Sequence, residues 1–257
     1  MFTADKTVAP MSKRTILRIS GSDARKFLQN LVSNDVKKLD QGAVYAALLT
    51  PQGKYLSDFF LVPDGDNIMI DVAAPLADGL MKRLSMYKLR ADVAIETTDV
   101  QMSRGRGPMP AGAIVDPRHP DLGWRVYGDT DLGDDTDWDA LRVELGVPEY
   151  GMELSEDSYI LEMGFARLNG VDFRKGCYVG QEVTARMKHK TELRKGLARI
   201  TFDGPVHSGD VLSSNGKDAG VVHTVSDTRA LCYLRFDRAE GVRTETAQAV
   251  TVDPLAG

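Results

Sequence analysis

Between Val44 and Val72 the chain reads VYAALLTPQGKYLSDFFLVPDGDNIMIDV, and this stretch restricts the fold most. Three runs, Val44–Leu49, Tyr55–Val62 and Asn67–Val72, are parted by Pro51-Gln-Gly53 and Pro63-Asp-Gly65. Proline removes a ladder donor and glycine supplies turn backbone, so such breaks fold a chain back on itself. In the third run Ile68, Ile70 and Val72 alternate with Asn67, Met69 and Asp71, as in a half-buried strand. Three successive strands are expected here.

The flanks add helices. TILRISGSDARKFLQNLVSND reads as strand, turn and helix, with Ser22 as N-cap and Phe27, Leu28, Leu31 and Val32 on one face. Pro75 opens a helix carrying Leu76, Leu80, Leu84 and Tyr87, and ADVAIET closes the unit as a strand. RGRGPMPAG (residues 104–112) reads as a linker or crossover loop. The acidic run at 129–137 reads as a solvated loop capping the helix WDALRVELG, which stops at Gly146. A short helix is expected from Ser155. From Leu193 the runs GLARITF, DVLSSNG, AGVVHTVS, RALCYLRF and QAVTVD are short strands with turn signals, suggesting a small β-barrel or sandwich.

A length of 257 residues favours two or three small domains. Net charge is −5, so nucleic acid would need a local basic patch. Two cysteines make no disulfide framework, which suggests a reducing compartment. No apolar run approaches the ~18 residues of a membrane span. The start, MFTADKTVAPMSKR, lacks an apolar signal core, so a cytoplasmic location is expected, with no membrane contact. His119, His189, His207 and His223 are scattered, and none pairs with a cysteine at metal-ligand spacing. No metal is expected to be bound by the chain alone, and no phosphate-binding glycine loop is present.

The stretch RKGCYVGQEVTAR (residues 174–186) raises a chemical question. YVGQEVTARMKHK can form a helix with Val179, Val183 and Met187 on one face, placing Cys177 at its N-terminus after Arg174, Lys175 and Gly176. A helix N-terminus and nearby cations both stabilise a thiolate. Most free cysteines simply pack, and that reading suffices for Cys232 in the apolar run ALCYL. For Cys177 the two readings stand level. Arg174, Lys175, Arg186, Lys188, Lys190, Arg194 and Lys195 outnumber Glu182 and Glu192 here. Such a cluster could meet phosphate, RNA or a folate polyglutamate tail, although a solvated helix face explains it on charge alone.

FRKGCYVGQEVTAR resembles the K-G-C-Y-x-G-Q-E signature of the YgfZ folate-binding family, related to the glycine-cleavage T-protein, the N-terminal domain of TrmE and mitochondrial iron–sulfur assembly factors. GSDARKFLQNLVSNDV, LLTPQGKYLSDFFLV, YKLRADVAIE and LRVELGVPEYGMEL match in the same order, so the resemblance covers nearly the whole chain. It implies an α+β fold of three domains set like a cloverleaf around a central opening. Residues 12–42 with 104–190 would form a discontinuous folate-binding domain, 43–103 an inserted α+β domain, and 191–257 a β-barrel. It implies a folate-binding accessory protein for assembly or repair of iron–sulfur clusters, including those of tRNA-modifying enzymes. Partners would be tetrahydrofolate or another reduced folate, and iron–sulfur assembly proteins or cluster-containing enzymes, with direct tRNA contact as a further option, around a monomer. Cys177 would be the essential thiol, tuned by Lys175, with Gly176, Tyr178, Gly180, Gln181 and Glu182 shaping its surroundings.

The T-protein holds its pterin with a glutamate in R-x-E-x-G. Arg142-Val-Glu144-Leu-Gly146 matches this segment, making Glu144 the expected pterin contact, with Arg142 beside it. Where that family has a paired Asp-Asp, this chain has Ser57-Asp58. Asp58 could still touch folate, but aminomethyl transfer, the alternative activity, loses one of its carboxylates.

Overall fold

The computed structural model describes residues 13–128, 135–190 and 192–256. Arg14–Ser20 forms β1, and the three runs become β2 (Val44–Leu49), β3 (Tyr55–Asp64) and β4 (Asn67–Ala73), followed after a helix by β5 (Ala94–Thr97). All five lie in one antiparallel sheet in the order β2-β3-β4-β1-β5. The strand at 14–20 therefore shares its sheet with strands from the 43–103 segment. Both faces of the sheet are covered. Ile68, Ile70 and Val72 pack in one core with Leu17 and Phe59, while Met69 packs in a second with Ile16, Tyr45 and Phe60. The half-buried expectation for β4 is thus corrected, because Asp71 on the second face is fully buried as well.

Helices α1 (Ala24–Gln29) and α2 (Ala74–Lys88) contribute to the first core, through Phe27 and Leu28 and through Ala77, Leu80 and Leu84. The N-cap position of α1 is Asp23 rather than Ser22, whose amide and hydroxyl instead bind the Asp92 carboxylate. Pro75 stands in the first turn of α2, where its missing N–H costs nothing. The expected linker begins inside a strand. Gln101–Gly105 is β6, which pairs with β8 (Trp124–Gly128), and β7 (Ile114–Val115) pairs with the other edge of β8. Gly105 belongs there because a Cβ would stand 2.5 Å from the Trp124 ring.

In α3 (Trp138–Leu145), Asp137 accepts from the Ala140 N–H at 2.9 Å, and Gly146 closes the helix in the left-handed conformation. Residues 129–134 of the acidic run lie outside the described residues. No helix starts at Ser155. The chain makes successive turns through 160–169, interrupted at Gly164, whose φ of +76° brings it against the Leu255 carbonyl. Helix α4 (Gln181–Lys190) follows. The last part is the expected barrel: β9 (Lys195–Asp203), β10 (Val211–Ser214), β11 (Lys217–Ser226), β12 (Arg229–Arg235) and β13 (Gln248–Pro254), ordered β10-β11-β12-β9-β13 around Ile200, Phe202, Val222 and Leu234.

Candidate functional site

Cys177 is exposed, on a loop that is itself firmly held. Lys175, two residues earlier, is buried, and its ammonium donates to the Gln29 carbonyl at 2.7 Å and to that of Val32. Burial pushes this ammonium down to about 8, against the pull of Asp35 and Asp172. Tyr178 is buried on the other side of the thiol, its ring centroid 4.9 Å from the same ammonium. Gly180 has φ +83°, and a Cβ there would lie 2.6 Å from the Thr50 carbonyl oxygen. Gly53 stands against the Val183 side chain, and its own Cα lies close to Gly180, so the β2–β3 turn packs tightly on the residues that open α4. Anchors before and after Cys177 leave the thiol facing solvent.

One expectation is corrected here. The helix begins at Gln181, not at Tyr178, because Gly180 takes a left-handed turn, so Cys177 is not at a helix N-terminus. Lys175 points its charge into main-chain carbonyls, which makes it an anchor of the loop. Glu182 is exposed and pairs with Arg186 at 3.0 Å, and Gln181 opens the helix. The side chain of Lys190 lies outside the described residues. Burial pushes the Cys232 thiol well up, as expected for a packed cysteine.

A second polar centre fills the middle of the molecule. Asp71 on β4 is bound by Arg14 and Arg125, both at 2.6 Å, and by the Tyr127 hydroxyl at 2.8 Å. Asp116 is held by Arg118 at 2.8 Å and Arg125 at 3.0 Å. Burial alone raises both carboxyls, but the arginines outweigh it and hold both below the usual range. Arg125 also lies 3.7 Å from the Phe60 ring centroid. Nearby, Asp58 accepts from Tyr45 at 3.0 Å and Tyr55 at 2.6 Å. Sequence reading missed this network, whose arginines come from β1, β8 and the loop between β7 and β8.

Of the three residues expected to contact folate, Asp58 and Arg142 line one cavity here, with Arg14, Arg104, Arg118 and Glu149. Glu144 does not. It faces outward, beside Arg229 and Arg199 of the barrel, while Arg142 turns inward to Glu149, Glu153 and Thr224. Residues two apart on a helix point to nearly opposite faces, so one segment cannot send both side chains into one cavity. The cavity leaves about 20 Å³ of space open to water, room for about one molecule. As arranged, these residues do not fit a pterin. The cavity is too small, both Asp58 oxygens are engaged, and the expected glutamate is elsewhere.

Comparison with known proteins fits the architecture. Aminomethyltransferase T of the glycine cleavage system from Bartonella henselae superposes with a TM-score of 0.75, covering 95% of this chain and 84% of that one at 16% identity. Residues 194–256 match the model of the CAF17 C-terminal beta-barrel domain. The chain thus has the fold of that aminomethyltransferase, and its last part matches a CAF17-type barrel.

In sequence, the chain is similar to proteins named as IBA57 assembly factors. The mouse protein named iron-sulfur cluster assembly factor IBA57, mitochondrial, is 28% identical over 93% of this chain and 81% of its own length. The human one is 28% identical over 89% and 77%. The homolog from Mycosarcoma maydis is 32% identical over 77% of this chain, which spans 59% of that relative. These matches support the broader kinship and not a YgfZ assignment in particular. They also correct the cytoplasmic expectation, because the relatives are named as mitochondrial. Two cysteines without a disulfide framework do not tell one reducing compartment from another. No helix among the described residues is long and apolar enough to cross a membrane.

Proposed function

We propose that this protein is an accessory factor in iron–sulfur cluster assembly and that Cys177 is its working group. The similarity to IBA57 assembly factors supports the process. The observation that carries the residue is the placement of an exposed thiol between buried anchors at Lys175, Tyr178 and Gly180. A packed cysteine needs no such mounting, and a thiol meant to be reached does. Clusters are held by cysteine thiolates, commonly four. Cys177 supplies one, so a cluster in transit would take its remaining ligands from a donor or a client. Cluster-dependent tRNA-modifying enzymes belong among those clients on this reading. Folate has no step in it, given the fit of the central cavity. The aminomethyl transfer alternative is weaker still, since Asp58 stands alone and is tied to two tyrosines.

Cys177→Ser in cells lacking the native protein tests the reading. Iron–sulfur enzyme activities and thiolated tRNA are measured together, with the variant's abundance and melting curve as controls. Loss of both activities at normal abundance is expected. Full activity with serine would remove the thiol from the function.

A further inference from the structure

Eight large hydrophobic side chains are conspicuously exposed among the described residues, and three of them, Met86, Tyr87 and Leu89, fall within four residues at the end of α2. Single exposed apolar residues are ordinary, whereas clusters mark contact surfaces. Leu89 is 88% exposed and sits at φ +47°, ψ −106°, a backbone region that a leucine adopts only under local constraint. Beside it runs a groove of about 260 Å³ between α1 and α2, floored by Phe27, Leu31, Tyr87 and Ala91. That volume takes one or two side chains rather than a cofactor.

The rim is basic. Lys26 lines the groove, Arg83 stands one turn before Tyr87, and Lys88 and Arg90 bracket Leu89. None of these four is in an ion pair among the described residues, where the chain forms many others. The acidic groups nearby are Asp23 and Asp92, already accepting hydrogen bonds from the Asp92 amide and from Ser22. In a chain of net charge −5, cations that form no close ion pair, Lys88 acting only at longer range on Asp92, surround an apolar groove and set the chemistry of what fits. The groove also adjoins, along α1, the carbonyl that holds the thiol loop. Lys175 fastens that loop to the carbonyl of Gln29, and the next two residues, Asn30 and Leu31, line the groove.

We infer that the α1–α2 groove docks a partner protein through an acidic amphipathic helix, its apolar ridge seated on Phe27, Leu31, Tyr87 and Leu89 and its carboxylates facing Lys26, Arg83, Lys88 and Arg90. The inference rests on the assembly reading above and supplies the surface that would bring a cluster donor or client to Cys177. Helix-in-groove recognition requires this combination of apolar anchors and a complementary rim.

The test uses the full-length protein carrying the photo-crosslinker benzoylphenylalanine at Leu89 or, as control, at Val250 on the barrel. Adducts formed in cells are identified by mass spectrometry, and the identified partner is then purified and titrated. The expected adduct is specific to position 89 and maps to an acidic amphipathic segment. Its affinity should weaken about tenfold with Leu89→Asp or Arg90→Glu, and fall with added salt. No adduct above the Val250 control, an adduct with a second copy of this chain, or an affinity indifferent to both substitutions would overturn the inference. Iron–sulfur enzyme activity lost in Cys177→Ser but kept in Leu89→Asp would sink the docking surface and leave the thiol reading standing.

Discussion

Lys175 donates its ammonium to the carbonyl oxygen of Gln29 at 2.7 Å, joining positions 146 residues apart and bolting the thiol loop to the end of α1. Removing that donor leaves two carbonyls, those of Gln29 and Val32, without it. Lys175→Met is therefore expected to lower unfolding free energy by about 1–3 kcal/mol, read as a shifted urea midpoint. Amide hydrogen exchange over residues 173–180 should speed up. Unchanged exchange there would show that Tyr178 and Gly180 hold the loop without the lysine.

The two cysteines should respond to alkylation in opposite ways. Cys177 is exposed and Cys232 is fully buried in the barrel core, its thiol held protonated by burial. Iodoacetamide on the native protein is expected to label Cys177 alone, and Cys232 only after denaturation, as scored by peptide mass spectrometry. Protection of Cys177 in the native state would return it to the packed cysteines.

Acid should loosen the centre of the molecule. Asp71 and Asp116 have folded-state pKa values below the ~3.9 of an unfolded aspartate, owing to arginine partners that outweigh burial. Their contribution is then fully present above about pH 4–5 and lost as pH falls through the unfolded and then the folded values. Urea midpoints should drop steeply from about pH 5 to pH 3. Asp116→Asn should cost about 3–5 kcal/mol at neutral pH by stranding Arg118 and leaving Arg125 with Asp71 alone, and should flatten the acid slope. An equal slope in both proteins would place the acid sensitivity elsewhere.

Tetrahydrofolate provides a direct check on the central cavity. With about 20 Å³ open and Asp58 engaged by two tyrosines, calorimetric titration is expected to show no saturable heat. Saturable binding that Asp58→Asn abolishes would mean that the arginines and tyrosines move aside for a pterin.

Much of the fold was legible because its signals are local. Proline and glycine breaks between apolar runs gave β2, β3 and β4 nearly residue by residue, and Asp137 with Gly146 bounded α3 at both ends. The turns at 160–169 were not legible, because Gly164 takes a left-handed φ of +76° where Leu255, from the far end of the chain, leaves no room for a side chain. The site divided along the same line. The signature around Cys177 pointed to the thiol from sequence alone, whereas the destination of Lys175 depended on α1 and could not be read locally. The inward turn of Arg142 and the outward turn of Glu144 were available in principle from helical geometry, yet a matched segment invites one to place both in one pocket. The arginines around Asp71 and Asp116 lie on separate elements, and only topology assembles them.

Two glycines flank Cys177, and the fold treats them differently. Gly180 is locked by its neighbours: any side chain would strike the Thr50 carbonyl. Gly176 has nothing within 4 Å of where a Cβ would stand, and its backbone is not left-handed, so folding alone leaves that position free to vary. The bare backbone beside the thiol is thus an open doorway rather than a hinge, and a bulky side chain there would narrow it without loosening the wall. Constraint on Gly176, measured as activity lost at unchanged stability, would record the approach of another molecule.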